Sequence, residues 1–247
     1  YERGYVGDIG GQYNGVTTGQ DLSESRSAEK LIADAVAAAK DADYVIFIGG
    51  LNKSDHQDAE GADRESYELP YSQNTVIEAL AAANPKLVVV NISGNAVAMP
   101  WAGKVPAIVQ DWYLGSEAGH SLADVLSGDV TPSGKLPFTI GATLADYPIK
   151  SEIQYPGIPR KETVKMGIQD KIIYDETYTE GIFVGYRWFE HSAIKPTFPF
   201  GYGLSYTTFE YGEPKTSGSI DKGLTVTVPV KNTGSVAGAE IVQVYVS

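Results

Sequence analysis

Two short, uninterrupted apolar runs constrain this chain more than anything else in it. Residues 44–48 read YVIFI and close on Gly49-Gly50; residues 87–92 read LVVVNI and close on Ser93-Gly94-Asn95. Runs of that length without polar alternation are strands buried on both faces, as in parallel sheets. Helical signals surround them. Ser27 is a cap candidate, and Ala28, Leu31, Ile32, Ala35, Val36 and Ala39 recur at helical spacing as far as Lys40. A second helix is expected over 72–83, stopped by Asn84-Pro85. A third strand is expected to begin at 107–110 and a third helix to span 117–126. This alternation predicts an α/β domain whose mostly parallel, doubly wound sheet is sandwiched by helices.

After Gly134-Lys-Leu-Pro137 the character changes. Residues 146–181 carry Pro148, Pro156, Pro159 and many charges without a period, and read as a surface excursion. Residues 181–189 (GIFVGYRWF) are apolar and aromatic and are expected to form a strand. Beyond the turn-rich Phe198-Pro-Phe-Gly-Tyr-Gly203, residues 207–211, 224–230 and 241–246 alternate at period two and are expected to be strands. Three strands do not close a β-sandwich, which needs about seven. The domain reading is therefore a linker over 1–25, an α/β domain over 26–200, and the beginning of an all-β domain over 201–247. The chain opens at Tyr1 without Met, and a preceding segment is expected.

Composition removes several classes of function. With no cysteine there is no disulfide framework, thiol nucleophile, iron–sulfur cluster or thiolate zinc site. A net charge of −12, from 19 basic and 31 acidic residues, argues against nucleic acid as a partner. No stretch approaches the roughly 18 apolar residues of a membrane helix, so no membrane partner is expected. His56, His120 and His191 are far apart, and no metal site or cofactor is expected of them. Gly201-Tyr-Gly203-Leu-Ser-Tyr206 lacks the third glycine of a dinucleotide loop, and Gly128 to Lys135 has Leu136 where a phosphate loop needs Ser or Thr. No Ser sits in a G-x-S-x-G elbow. The sequons at Asn52 and Asn91 are read as coincidence, because Asn91 lies inside an expected buried strand.

What survives is the loop after the first apolar strand. Residues 55–64 place Asp55, Asp58, Asp63, Glu60, His56 and Arg64 at the carboxyl end of that strand, where open α/β sheets bind ligands. Oxygen ligands do not alternate there as a calcium loop requires. The residues alone leave two readings open, a solvated acidic loop and a working carboxylate.

Three long, ordered motifs then resemble the second domain of family 3 glycoside hydrolases. They are Gly50-Leu-Asn52…Glu60-Gly-Ala-Asp63-Arg64…Leu69-Pro70…Gln73, then Gly115-Ser-Glu-Ala-Gly119…Ala123-Asp-Val-Leu126-Ser-Gly-Asp129-Val-Thr-Pro-Ser-Gly-Lys-Leu-Pro137, then Glu180-Gly-Ile-Phe-Val-Gly-Tyr-Arg187-Trp-Phe with Phe200-Gly-Tyr-Gly-Leu-Ser-Tyr206-Thr-Thr-Phe209. The resemblance implies a flavodoxin-like α/β sandwich between an upstream (β/α)8 barrel and a fibronectin type III-like domain. It implies a retaining β-glycosidase, most often a β-glucosidase, acting on a β-linked oligosaccharide or glucoside. The nucleophile would be an Asp of the barrel, which no segment of this chain matches. Glu60 would be the general acid/base, with Asp58 and Asp55 as alternatives because this loop varies in the family. His56, Asp58 and Arg64 would contact sugar hydroxyls. Secretion or a periplasmic location is favoured on the same ground. A non-catalytic carbohydrate-binding relative is the competing reading, and a free nucleotide- or flavin-binding domain a weaker one.

Overall fold

The structure, a computed structural model, describes residues 2–6, 12–13, 16–17, 24–52, 56–58, 64–166 and 169–246. In chain order the elements are β1 (Gln12–Tyr13), β2 (Val16–Thr17), α1 (Ala28–Lys40), β3 (Val45–Gly50), α2 (Gln73–Ala83), β4 (Leu87–Ile92), β5 (Ala107–Asp111) and α3 (Ala118–Ser127). There follow β6 (Ile158–Met166), β7 (Gln169–Asp175), α4 (Tyr186–His191), β8 (Phe209–Tyr211), β9 (Lys215–Ser219), β10 (Gly223–Thr227) and β11 (Val230–Asn232). Contacts divide the chain into two units. One holds residues 1–113 and 138–199, the other 114–137 and 200–247.

In the first unit the fold class is α/β with a parallel sheet. β3, β4 and β5 pair in parallel in that order, Val45 with Leu87 and Val88 with Ala107 at the start of each ladder. The central strand behaves as its sequence demands: Leu87, Val89, Val90 and Asn91 are all at most 1% exposed. Each buried aliphatic side chain there contributes about 1.5–3 kcal/mol. β3 is different. Phe47 is buried, but Ile46 and Ile48 on the opposite pleat remain about half exposed, at 48% and 52%. The expectation of two-sided burial thus fails for β3, which lies at the edge of the sheet, and holds for β4 at its centre.

The two helices predicted within this unit both form. The Ser27 hydroxyl accepts the Lys30 amide at 3.3 Å, capping α1. Leu31, Ala35 and Ala39 make its buried stripe. α2 buries Gln73, Val76, Ile77 and Leu80 and packs on α1 and on β3 and β4. Asn84, past the end of α2, donates to the carbonyls of Ala39 at 2.8 Å and Ala42 at 2.9 Å. Its backbone amide donates to the Leu80 carbonyl at 2.9 Å, so one residue closes the carboxyl ends of both helices.

One sequence expectation gains detail in this unit and one is corrected. The excursion 146–181 contains an antiparallel hairpin, β6 with β7, pairing Ile158 with Asp175 and Met166 with Gln169, with a register shift between Pro159 and Thr163. Ile158, Val164, Ile172 and Tyr174 are all exposed on it, so it has no buried face to impose a period. The strand expected over 181–189 is a turn followed by α4. Gly181 and Gly185 sit at φ 59° and 57°, which breaks an extended path, and Phe189 turns inward to 3% exposure.

In the second unit α3 ends at Gly128, at φ 85° in the left-handed region. The Tyr206 hydroxyl donates to the Val125 carbonyl at 2.7 Å. The strand expected over 224–230 is two. β10 pairs with β9 and β11 with β8, both antiparallel, and Pro229, which has no amide to donate, stands between them. Residues 241–246, expected to form a strand, take no strand conformation. Lys135 instead holds Glu240, at 3.1 Å, and the Gly203 carbonyl, at 2.7 Å.

Candidate active site

Three chain segments leave the carboxyl edge of the parallel sheet: from β3 at Gly50, from β4 at Ile92 and from β5 at Asp111. Gly50 is fixed first. Its amide donates to Gln73 Oε1 at 2.7 Å, and its carbonyl accepts Gln73 Nε2 at 2.8 Å. Gln73, fully buried, therefore takes the place of a neighbouring strand at the free edge of β3.

The segment after β4 is held from below. Asn91, 1% exposed, donates to Ser93 Oγ at 3.0 Å and to Gln110 Oε1 at 2.8 Å. Gln110 returns a bond to Ser93 Oγ at 3.1 Å, and Ser93 donates to the Asn95 carbonyl at 2.8 Å. The Asn91 sequon is thus inside the sheet and engaged.

Asp58 reaches this platform. Its carboxylate accepts the Gly94 amide at 2.9 Å, Asn95 Nδ2 at 3.2 Å and the Tyr113 hydroxyl at 2.7 Å. Burial, followed by the bond to Asp58, raises the pKa of Tyr113, so it stays a protonated donor. Gln57, 7% exposed, accepts the Asn52 amide at 3.1 Å and donates to the Tyr71 hydroxyl. His56 stands at φ 62°, with Nδ1 3.4 Å from an exposed Glu65 carboxylate. Arg64 donates from Nη2 to the Ala96 carbonyl at 2.7 Å and lies 5.8 Å from the Tyr67 ring centre. Its buried Nη1 finds no acceptor among the described residues. Tyr67 donates to the Gly141 carbonyl at 3.0 Å, and its pKa is raised by burial and by its bond to Tyr147.

Of the residues singled out in the sequence, Asp58 and Arg64 are brought to one short segment, Gly94 to Ala96, while His56 faces Glu65. Glu60 and Asp55 lie outside the described residues. The three tryptophans are engaged elsewhere. Trp101 is fully buried and donates to Asn74 Oδ1 at 2.8 Å, Trp112 packs edge-on against Phe138, and Trp188 donates to the Asp146 carbonyl. Sequence reasoning missed Tyr113, Gly94, Asn95 and Gln57. The positions of Gly94, Asn95 and Tyr113 just past the ends of two parallel strands are the signal that points to them. Asp111, at the end of β5, is 7% exposed, and burial raises its pKa.

Asp58 is thus fastened at the carboxyl ends of a parallel sheet, in a domain of the α/β class. A sequence profile of the Glycosyl hydrolase family 3 C-terminal domain matches residues 4–186, and the chain belongs to that family. Beta-glucosidase BoGH3A of Bacteroides ovatus is 51% identical over 235 residues, covering 92% of this chain and 29% of that protein. A β-glucosidase of Rhizobium radiobacter is 44% identical over 219 residues, or 87% and 25% of the two chains. Among solved structures, DesR, a β-glucosidase from Streptomyces venezuelae in complex with D-glucose, superposes with a TM-score of 0.73 at 38% identity, covering 84% of this chain and 24% of that one. The Bifidobacterium adolescentis GH3 β-glucosidase gives 0.69 at 37% identity, with 87% and 29% covered. The chain thus spans 24–29% of the length of these relatives.

Proposed function

We propose that this chain is the acid/base half of a retaining exo-β-glucosidase. It supplies one wall of the sugar pocket and the general acid/base, Glu60, and a barrel domain of the same polypeptide supplies the nucleophilic Asp. The observation that carries this reading is the E-G-A-D-R sequence at 60–64, on the loop leaving the carboxyl end of β3, in a family member whose relatives are named β-glucosidases and are more than three times longer. In retaining hydrolysis two carboxyl groups about 5–5.5 Å apart flank the anomeric carbon. One attacks while the other protonates the departing oxygen, then draws a proton from the water that releases the sugar. His56 and Arg64, on the same loop, are proposed to border the sugar, whereas the Asp58 carboxylate is engaged by Gly94, Asn95 and Tyr113 and is assigned no sugar contact.

The domain plan belongs to the same proposal. Residues 1–25 are a linker arriving from the barrel, 26–200 the α/β sandwich, and 201–247 the first strands of a fibronectin type III-like domain. The antiparallel β8–β11 and β9–β10 pairs support the last of these.

Replacing Glu60 with Ala in the full-length protein tests the role. Hydrolysis of phenyl and alkyl β-glucosides should fall by at least about 10²-fold, within the range of general acid catalysis. 2,4-Dinitrophenyl β-glucoside, whose leaving group needs no proton, should still form the glycosyl-enzyme at near the parental rate. An equal loss on both substrates would remove Glu60 from the acid/base role.

A further inference from the structure

We propose that Asp58 is the positioning residue of the acid/base loop: it clamps the start of the segment that carries Glu60 onto the loop after β4. The inference rests on the Glu60 reading above and adds a role for a residue that does no proton transfer itself.

The clamp is built from both sides of that segment. On the near side, Asn52 is bonded to both Gln57 and Asp58. The Asp58 amide donates to the Asn52 carbonyl at 3.0 Å, the Asn52 amide donates to Gln57 Oε1 at 3.1 Å, and Leu51 is tied to the Ile92 carbonyl at 2.8 Å. The Asp58 carboxylate then reaches three donors distant in sequence, the Gly94 amide, Asn95 Nδ2 and the Tyr113 hydroxyl. A carboxylate offers about four lone-pair sites, so three are already taken. On the far side Arg64 grips the Ala96 carbonyl. The five residues from 59 to 63, Glu60 among them, are therefore bracketed by two charged side chains fastened to Gly94, Asn95 and Ala96.

That platform leaves little tolerance. A Cβ on Gly94 would stand 3.2 Å from Tyr113 Cε2, closer than ordinary contact, so a larger residue there would press on the ring that donates to Asp58. The Asn91–Ser93–Gln110 network fixes the platform itself. A general acid must lie within hydrogen-bond reach of the leaving oxygen, and a displacement of about 1 Å costs on the order of 10²-fold. Asp58 thus controls protonation of the aglycone without touching it.

The test uses the full-length protein with Asp58→Ala and, as a milder change that keeps the carboxylate, Tyr113→Phe. Expected for D58A is a fall in kcat/KM of roughly 30–100-fold on phenyl β-glucoside and less than about threefold on 2,4-dinitrophenyl β-glucoside. Inhibition by glucose, which reads sugar contacts alone, should be unchanged. Azide should not restore the rate, because the Glu60 carboxylate is still present. Y113F should show the same selectivity with a loss of about 3–10-fold. Uniform loss on both substrates would make Asp58 merely structural, and weakened inhibition by glucose would make it a sugar contact; either overturns the proposal. E60A, run beside them, separates the two claims. Azide rescue of D58A with E60A unaffected would make Asp58 the acid itself and sink both readings. Selectivity in E60A without selectivity in D58A or Y113F would sink only the clamp.

Discussion

Replacing Gln73 with Met removes two hydrogen bonds from the carboxyl end of β3 and almost nothing else. Met keeps the length and volume of the side chain, so no cavity opens beneath α2. The Gly50 amide and carbonyl, now bonded to Gln73 at 2.7 and 2.8 Å, lose their partners at the edge of the sheet. An orphaned buried backbone group costs about 1–3 kcal/mol. Gly50 is half-buried and water satisfies part of the loss, so the lower range applies, about 2–4 kcal/mol for the pair. At about 1.4 kcal/mol per tenfold, local opening at the end of β3 should become roughly 30- to 700-fold more frequent. Amide hydrogen exchange, followed by mass spectrometry on peptides spanning 45–52, reads this directly. β4, whose core residues are untouched, serves as the internal reference. Exchange within about threefold of the parent at 45–52 would refute the edge-filling role of Gln73.

Burial sets a pH dependence at Asp111. Its folded pKa lies above its unfolded one, so its contribution to stability is present at pH below the ordinary carboxylate value. That contribution is lost as pH rises through the raised folded value, and at neutral pH the charged form is a cost. Asp111→Asn should therefore raise Tm at pH 7, with the advantage narrowing as pH falls through the carboxylate range; an equal Tm difference at both ends would contradict it. If the nucleophile belongs to a barrel domain as proposed, residues 1–247 expressed alone should turn over no aryl β-glucoside, and measurable hydrolysis would overturn the two-domain site.

Legibility in the sequence followed locality. LVVVNI announced β4 because a central strand is buried on both faces whatever its neighbours are. YVIFI looked the same, yet β3 sits at an edge and Ile46 and Ile48 remain open. α1 was readable from Ser27 and its apolar stripe, since capping and period are both local. β6 and β7 were not, because a two-stranded ribbon with solvent on each side needs no pattern. The aromatic run around Trp188 suggested a strand, but two glycines in the left-handed region turned it into α4. At the candidate site, the sequence marked the acidic loop as the place of interest. It did not reveal what holds the loop, since the partners of Asp58 lie 36 to 55 residues away and meet it only through the parallel order of β3, β4 and β5.

Azide reaction of the full-length Glu60→Ala protein is the most direct measurement. With the acid/base carboxylate removed, the glycosyl-enzyme forms readily from 2,4-dinitrophenyl β-glucoside but waits for a nucleophile that needs no base. Added azide should then accelerate turnover and yield β-glucosyl azide, with the anomeric configuration retained. No acceleration, or an α-glucosyl azide, would contradict a double-displacement site in which Glu60 of this chain handles the proton.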